Sequence, residues 1–106
     1  MKRYDIFWAE LEPTVGAEMA KTRPVVIVSL DELNKRLQTI TVCPITSQIH
    51  FGWRCRMQIT LQRKDAEIAV DQIRTISTNR LGDAIGALSE SEADALRRLI
   101  TEMYGE

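Results

Sequence analysis

One stretch near the N-terminus, residues 13–28, constrains the fold of this chain more than any other. It is written PTVGAEMAKTRPVVIV. Pro13 and Gly16 interrupt regular structure at its start, and Pro24 favours an extended backbone at the residue before it. Residues 25–28 are an unbroken β-branched run, typical of a strand buried on both faces. The stretch therefore predicts a polar loop that leads directly into a core strand.

That loop carries four polar side chains in front of the strand: Glu18, Lys21, Thr22 and Arg23. A polar loop held over a rigid strand is a common place for binding or catalytic groups. The alternative is a surface loop whose charges only keep the chain in solution. The stretch by itself leaves both interpretations open.

Length and composition indicate one globular domain, residues 1–106. The chain is long enough for a single core, and its 44% hydrophobic and 27% charged residues are those of an ordinary globular protein. No apolar run is long enough to cross a bilayer, and the N-terminal residues lack the apolar segment of a signal peptide. We therefore expect a cytoplasmic protein without a membrane partner.

The formal net charge of −1 argues against a protein that coats nucleic acid by bulk attraction. A local cationic groove remains possible, because basic residues concentrate in the middle of the chain. These are Arg54, Arg56, Arg63, Lys64, Arg74 and Arg80.

The two cysteines and the single histidine limit metal chemistry. Cys43 and Cys55 match no metal-ligand spacing, so we predict reduced thiols packed as small hydrophobic side chains. His50 is the only histidine, which argues against a zinc site or paired-histidine catalysis within one chain. It titrates in the range useful for acid–base catalysis, but a solvated loop position is the simpler interpretation.

Alternation of apolar and polar residues predicts a mainly β chain with five or six short strands. The predicted strands are residues 4–11, 23–29, 38–44, 53–61, 68–76 (broken at 71–72) and 83–88. Pro44 is expected to end the third strand, and a turn is expected at residues 65–67. Residues 31–36 suggest a short helix with Asp31 as its N-cap, and residues 78–82 a helical turn.

The clearest helix prediction is for residues 89–105. Ser89 and Glu92 have the spacing of a capping box, and Gly105 can end the helix. Its apolar stripe is expected to pack on the sheet or on a partner subunit. The stripe consists of Ala93, Leu96, Leu99, Ile100 and Met103. Short strands followed by one helix indicate a small, twisted, partly closed barrel.

Three polar segments end or interrupt the predicted strands: residues 18–23, 46–48 and 71–72. If those strands are neighbours, the segments could converge on one groove. Each also has a separate explanation, since Thr46 and Ser47 form turns readily, Asp71 suits a bulge, and Arg23 suits a surface.

Four motifs in this order resemble those of the MazF/PemK toxins of bacterial toxin–antitoxin pairs. They are PTVGAEMAKTRPVVIVS, PITSQ, DQIRTI and IGALSE. Each is short, but their order and spacing are specific, and the resemblance extends to IFWAEL in the first strand and to the terminal helix. It covers nearly the whole chain.

The resemblance implies a mainly β fold, an SH3-like, partly closed barrel of MazF/PemK/CcdB type with five to seven strands and a C-terminal helix. It implies a homodimer that cuts single-stranded RNA at short sequences, an mRNA interferase, with no metal and no cofactor. It also implies a cognate MazE-like antitoxin whose flexible tail occupies the RNA groove. In such ribonucleases the ribose 2′-hydroxyl attacks its own phosphate and leaves a cyclic phosphate and a 5′-hydroxyl.

Matched residue by residue, Arg23 falls on the family's catalytic arginine and Thr46 on its catalytic threonine. The resemblance assigns Arg23 to stabilising the charged phosphorane and Thr46 to donating to a non-bridging oxygen. Glu18 matches the loop glutamate and Asp71 the aspartate of the Asp-Gln motif. Glu18 is the expected general base, with Asp71 as the alternative. The expected RNA contacts are Ser47, Gln48, Lys21 and Arg74.

The chain departs from the family pattern at several positions. Tyr4 stands where a glycine usually precedes the first strand, and Lys21 replaces a glycine in the loop. Ala69 stands where some relatives have a further arginine. The segment 50–56 matches poorly; its Trp53 could stack on a base, although a buried anchor is the expected role.

Two other functions fit the same scaffold. A CcdB-like toxin keeps the barrel but acts on gyrase through its C-terminal residues, and nothing in the ending MYGE suggests this. A barrel that binds RNA without cutting it is the third interpretation. Arg23 together with Thr46 and Ser47 favours RNA cleavage.

Overall fold

The structure, a computed structural model, describes residues 1–11 and 22–105. Within these residues the chain forms seven strands and two α-helices. In order they are β1 (Asp5–Glu10), β2 (Thr22–Ile27), α1 (Asp31–Arg36), β3 (Thr39–Thr46), β4 (Arg56–Leu61), β5 (Lys64–Ala69), β6 (Arg74–Ser77), β7 (Leu81–Ala87) and α2 (Glu90–Tyr104). Short 3₁₀ turns lie at Val70–Gln72 and Thr78–Arg80.

The strands form one antiparallel sheet that curls into a half-barrel. The hydrogen-bonded order is β4-β5-β3-β2-β1-β7, and β6 pairs with β3 beyond the end of β5. The predicted partly closed barrel with a C-terminal helix is confirmed. Neither helix in the described part of the chain is long and apolar enough to cross a membrane.

Two cores lie on opposite faces of the central strands, because successive side chains of a strand alternate between faces. One core contains Val26 and Cys43 and is covered by Leu96 of α2. The other contains Val25, Ile27, Ile40 and Val42, and we call this side of the sheet the Val25 face. Both faces of β2 are buried, as its β-branched run predicts.

Helix α2 has the predicted capping box and the predicted end. The Ser89 hydroxyl accepts a hydrogen bond from the Glu92 backbone (3.1 Å), and the Glu92 carboxylate accepts one from the Ser89 backbone (2.8 Å). The Gly105 N–H caps the end of the helix. The Tyr104 hydroxyl donates to the carbonyl of Val70 at 2.9 Å. The helix thereby fixes the 3₁₀ turn that carries Asp71.

The prediction that Pro44 ends β3 is wrong, since the strand continues to Thr46. Pro44 pairs with Val25 on one side. The other edge of β3 has two partners in succession. Residues up to Val42 pair with β6, and residues from Ile45 onward pair with β5. Pro44 lies in the gap between these two ladders, so its missing N–H leaves no ladder bond unmade.

The predicted turn at residues 65–67 is also wrong. The β4–β5 hairpin turns at Gln62 and Arg63, which have φ of 51° and 69°. Positive φ at both central residues is the requirement of a type I′ turn, which matches the twist of the flanking strands. Neither residue is the glycine or asparagine that usually marks this turn, so the local sequence does not reveal it.

Three further boundaries differ from prediction. The fourth strand begins at Arg56 rather than at Trp53. The predicted fifth strand is divided by the 3₁₀ turn at Val70–Gln72, at the predicted polar break, into β5 and β6. The N-cap of α1 is Leu30, and the Asp31 carboxylate instead accepts a hydrogen bond from the Arg3 backbone at 2.7 Å.

Tyr4 adopts φ of 74°, a left-handed conformation that non-glycine residues seldom occupy. Its backbone N–H donates to the carbonyl of Ile27 at 2.6 Å, which holds the chain entering β1 against the end of β2. The guanidinium groups of Arg3 and Arg97 lie 4.9 and 5.7 Å from the centre of its ring. This backbone conformation explains why a glycine suits the position in the family that the sequence resembles.

Candidate active site

Arg23 and Thr46 lie near the ends of adjacent strands on the Val25 face. Arg23 is the second residue of β2 and is half-buried; Thr46 is the last residue of β3. The β2–β3 register pairs Val25 with Pro44. Continued by two residues, this register sets Arg23 opposite Thr46. Directly opposed residues of an antiparallel pair have Cβ atoms roughly 5 Å apart.

The Thr46 hydroxyl has its proton available for a ligand. Its oxygen accepts a hydrogen bond from the backbone N–H of Gln48 at 3.1 Å. A hydroxyl both accepts and donates, so accepting from Gln48 orients the oxygen and leaves its hydrogen free. Ser47 and Gln48 follow Thr46 directly in the chain, and both are exposed.

Arg74 lies on the same face as Arg23 and Thr46 but farther along the sheet. It pairs with Val42, four residues before Thr46 in β3, which corresponds to about 13 Å along a strand. Within residues 1–11 and 22–105, neither Arg23 nor Arg74 makes an ion pair through its side chain. Both cations are therefore available, among the described residues, to an anion lying along this face.

A buried carboxylate, Glu67, adjoins this site. Glu67 is directly opposite Thr46 in the β3–β5 ladder and has 0% of its surface exposed. Arg56 donates to Glu67 through Nη1 (2.6 Å) and to Asp71 through Nε (2.8 Å). The His50 backbone N–H and ring Nδ1 each lie 2.8 Å from the Glu67 carboxylate. Four ionisable groups thus form one connected cluster.

The pKa values of the two carboxyl groups move down in this cluster. Burial raises the pKa of Glu67, but hydrogen bonds from His50 and Arg56 outweigh it, so the pKa lies below its ordinary value. For Asp71 burial also raises the pKa, and the hydrogen bond from Arg56 more than offsets it. Both groups are therefore carboxylates at neutral pH.

Of the two candidates for the general base, only Asp71 lies within the described residues. Asp71 is held by Arg56 through two contacts, at 2.8 and 3.4 Å, and its lowered pKa makes it a weaker base. Glu18 lies outside the described residues, as does the predicted RNA contact Lys21. The structure thus brings Asp71 and Glu67 together around Arg56.

The predicted role of Trp53 as a buried anchor is wrong. Its side chain is 50% exposed, and its ring stacks on His50 with a centroid distance of 4.0 Å. The Arg56 guanidinium lies 5.0 Å from the same ring. His50, Trp53 and Arg56 contact one another at the charged cluster, and the strand starts three residues later than predicted.

Sequence reasoning missed Glu67 and the burial of Arg56, whose side chain is only 6% exposed. One signal was present. Glu67 interrupts the apolar run AEIAV, and a carboxylate inside a buried strand requires a cationic partner. In the segment WRCRMQITL, Arg56 alternates with apolar residues, a pattern that predicts a position on the polar face of the strand. The interpretation of His50 as a solvated loop residue is likewise corrected, because its ring is bound to Glu67.

The prediction of a thiol packed as a small hydrophobic side chain is confirmed for Cys43, which is buried in the core under α2. Cys55 is half-buried and belongs to neither core; both thiols are free. Burial, with a smaller contribution from the charge of Asp71, raises the pKa of Cys43 to about 12.

Comparison with known proteins gives a consistent result. The sequence profile of the PemK-like, MazF-like toxins of type II toxin–antitoxin systems matches residues 2–104. The chain is 32% identical to endoribonuclease MazF of Staphylococcus saprophyticus, over 99% of this chain and 92% of that protein. It is 35% identical to endoribonuclease EndoA of Bacillus subtilis, over 89% of this chain and 85% of that protein.

Solved structures agree with the sequence relatives. The fold matches the Mycobacterium tuberculosis toxin MazF-mt6 with a TM-score of 0.80 and 26% identity, over 94% of this chain and 95% of that one. The matching profile spans nearly the whole sequence, and the relatives named here are endoribonucleases rather than gyrase poisons. The chain belongs to the PemK-like, MazF-like toxin family of type II toxin–antitoxin systems.

Proposed function

We propose that this chain, a MazF-like endoribonuclease, cleaves single-stranded RNA at the end of the Val25 face without using a metal. The proposal rests on the β2–β3 register, which pairs Val25 with Pro44 and, if extended by two residues, sets Arg23 opposite Thr46. On opposed residues of neighbouring strands, a guanidinium and a hydroxyl hydrogen can each donate to an oxygen of the same phosphate. The products are a 2′,3′-cyclic phosphate and a 5′-hydroxyl.

The chemistry follows from the groups available. The ribose 2′-hydroxyl attacks the adjacent phosphorus, which builds negative charge on the non-bridging oxygens. Arg23 stabilises that charge through its fork of N–H donors, and Thr46 donates to one of the oxygens. Glu18 takes the 2′-hydroxyl proton, with Asp71 as the alternative. DNA lacks this hydroxyl and is not a substrate.

Binding of the strand extends beyond the reacting phosphate. Ser47, Gln48 and Lys21 contact the RNA around the scissile position, and Arg74 binds a flanking phosphate along the same face. Cleavage is expected at a short specific sequence, because the loops around the phosphate contact the bases as well as the backbone.

The partners follow from family membership. The chain matches the toxins of type II toxin–antitoxin systems, and we infer that a MazE-like protein antitoxin holds it inactive, with its tail in the RNA groove. We also infer a homodimer and a cytoplasmic location. The expected consequence of releasing the toxin is growth arrest through cleavage of messenger RNA.

The test is incubation of the purified protein with a long single-stranded RNA in EDTA. Discrete products ending in cyclic phosphates are expected. Intact RNA with retarded mobility would instead indicate a binding protein, and no interaction with RNA would favour a protein target such as that of CcdB-like toxins.

The matched variants are Arg23→Ala and Arg36→Ala. Loss of a donor to the phosphorane is expected to reduce the rate about 10²- to 10³-fold. Arg36 is an exposed residue of α1 outside the site, and its replacement is expected to leave the rate unchanged. A folded Arg23→Ala protein that cuts at the wild-type rate would refute the site.

A further inference from the structure

We propose that His50 is the general acid of the cleavage, donating a proton from Nε2 to the 5′ oxygen as the P–O5′ bond breaks. The inference rests on the proposed function, and it fills a role that Arg23, Thr46, Glu18 and Asp71 leave unassigned. Breaking the bond to an alkoxide requires a proton source, because an unprotonated alkoxide is a poor leaving group.

The position of the protons on His50 follows from its contacts. Glu67 has none of its surface exposed and is ionised, so its carboxylate accepts hydrogen bonds and donates none. His50 Nδ1 lies 2.8 Å from that carboxylate. Nδ1 must therefore carry a hydrogen, and Nε2 is the nitrogen that gains or loses a proton.

Nε2 is the free nitrogen of the ring. Among residues 1–11 and 22–105, both polar contacts of the imidazole, the hydrogen bond to Glu67 and the 3.2 Å approach of Arg56 Nη1, are made at Nδ1. The side chain is 25% exposed. An imidazole held at one nitrogen by a buried carboxylate, with the other nitrogen open, is the arrangement in which the carboxylate stabilises the imidazolium.

The ring is also held in place by its neighbours. The His50 backbone N–H donates to the second oxygen of Glu67 at 2.8 Å, so one carboxylate fixes both main chain and side chain. Trp53 stacks on the ring with centroids 4.0 Å apart. A side chain fixed by hydrogen bonds on one edge and stacking on one face is oriented before substrate binds.

The location agrees with this role. Glu67 is the direct partner of Thr46 across the β3–β5 ladder, so their Cβ atoms are roughly 5 Å apart. His50 is bound to Glu67 and follows Thr46 by four residues. Glu67 therefore links His50 to the end of β3 that carries Thr46.

The charges facing His50 balance when it is protonated. They are the Glu67 carboxylate of β5, the Arg56 guanidinium of β4, with Nη1 3.2 Å from Nδ1, and the Asp71 carboxylate beyond Arg56. Two carboxylates and one guanidinium leave one negative charge, which an imidazolium cancels.

The step is balanced without a co-reactant. As the 2′ oxygen bonds to phosphorus, the P–O5′ bond breaks and its electron pair takes the Nε2 proton to give a 5′-hydroxyl. His50 is left neutral with Nδ1–H still donated to Glu67. Solvent returns the proton to Nε2 for the next turnover.

The test uses His50→Asn and two versions of one RNA oligonucleotide that contains the site first mapped with the wild-type protein. The asparagine amide keeps a donor near the position of Nδ1 and removes Nε2. One oligonucleotide has the normal 5′ oxygen at the scissile bond; the other has a 5′ sulfur, which leaves as a thiolate without protonation because thiols are far more acidic than alcohols.

His50→Asn is expected to slow cleavage of the oxygen substrate about 10²- to 10⁴-fold. On the sulfur substrate its rate is expected to stay within about 10-fold of wild type, since no acid is required there. Equal losses on both substrates, or no loss on the oxygen substrate, would overturn the proposal.

A second measurement needs no variant and covers the case in which His50→Asn fails to fold. The wild-type kcat on the oxygen substrate is expected to fall at alkaline pH, where a general acid is deprotonated, and the sulfur substrate is expected to lack this fall. The same alkaline limb on both would overturn the role of His50. A wild-type protein that cuts no RNA would instead refute the proposed function itself.

Discussion

Arg56 and Glu67 form an ion pair that is almost wholly out of contact with solvent: Nη1 lies 2.6 Å from Oε2, and the two side chains are 6% and 0% exposed. The same guanidinium reaches Asp71 at 2.8 Å. One cation therefore compensates two carboxylates beside the candidate active site. Removing it would leave a buried charge without its main partner, which is far less favourable than removing the whole pair.

Arg56→Met is expected to destabilise the fold by about 3–5 kcal/mol at pH 7, because Glu67 would remain buried as a carboxylate. Chemical denaturation measures the change. Arg98→Met is the matched control, since Arg98 pairs with Asp94 on the surface of α2 and exposed pairs contribute little. Equal stability of the Arg56→Met and Arg98→Met proteins would contradict the importance of the buried pair.

The cluster also predicts how stability depends on pH. Glu67 and Asp71 have pKa values below their ordinary values of 4.5 and 3.8. A carboxyl group with a lowered folded-state pKa contributes stability that is present above its unfolded pKa and is lost as pH falls through the folded pKa. The wild-type unfolding free energy should therefore decrease below about pH 4.5. Arg56→Met should show a smaller decrease, and an equal decrease would argue against this origin.

Thr46 gives a test of the phosphate site that preserves side-chain shape. Thr46→Val removes the hydroxyl that Gln48 orients, and it should lower the cleavage rate about 10²-fold or more, as loss of an oxyanion donor does. Thr46→Ser keeps the hydroxyl and should retain most of the activity. Single-turnover rates on one mapped RNA give both values. Activity that survives in the valine protein but falls in the serine protein would exclude donation by Thr46.

The two thiols should differ in reactivity. Cys43 is fully buried, and its pKa of about 12 keeps it protonated at neutral pH, whereas Cys55 is half-buried. A maleimide should therefore label the folded protein once, at Cys55, and the denatured protein twice. Intact mass and peptide mapping identify the sites. Cys55→Ala should abolish the labelling of the folded protein, and rapid labelling of Cys43 would contradict its burial.

Tyr4 provides a measurement of backbone strain. Ala and Gly both remove its ring, so the difference between Tyr4→Ala and Tyr4→Gly isolates the effect of φ at 74°. The glycine protein should be about 1 kcal/mol more stable than the alanine protein, because glycine occupies this region without a Cβ clash. Thermal or urea unfolding measures the difference. An alanine protein of equal or greater stability would show that the position relaxes to negative φ.

Local patterns predicted the elements whose signals are contiguous in the sequence. The β-branched run of β2, the capping box of α2 and its apolar stripe all appear as predicted. The predictions that failed concern residues whose conformation or burial depends on a strand distant in the sequence. Pro44 continues β3 because two different strands meet its other edge, and Arg56 is buried because Glu67 of β5 and Asp71 of the following 3₁₀ turn bind its guanidinium.

The sequence by itself determined the element types, the two-sided burial of β2 and the family resemblance, because these depend on side chains within a few positions of one another. Only the tertiary structure decided which strands are neighbours, and with them the placement of Arg23 and Thr46 on one face of the sheet and the binding of His50 by Glu67. The members of these two pairs are 23 and 17 positions apart in the chain. The register of strand pairing determines which residues meet, and that register depends on all strands burying their apolar faces together.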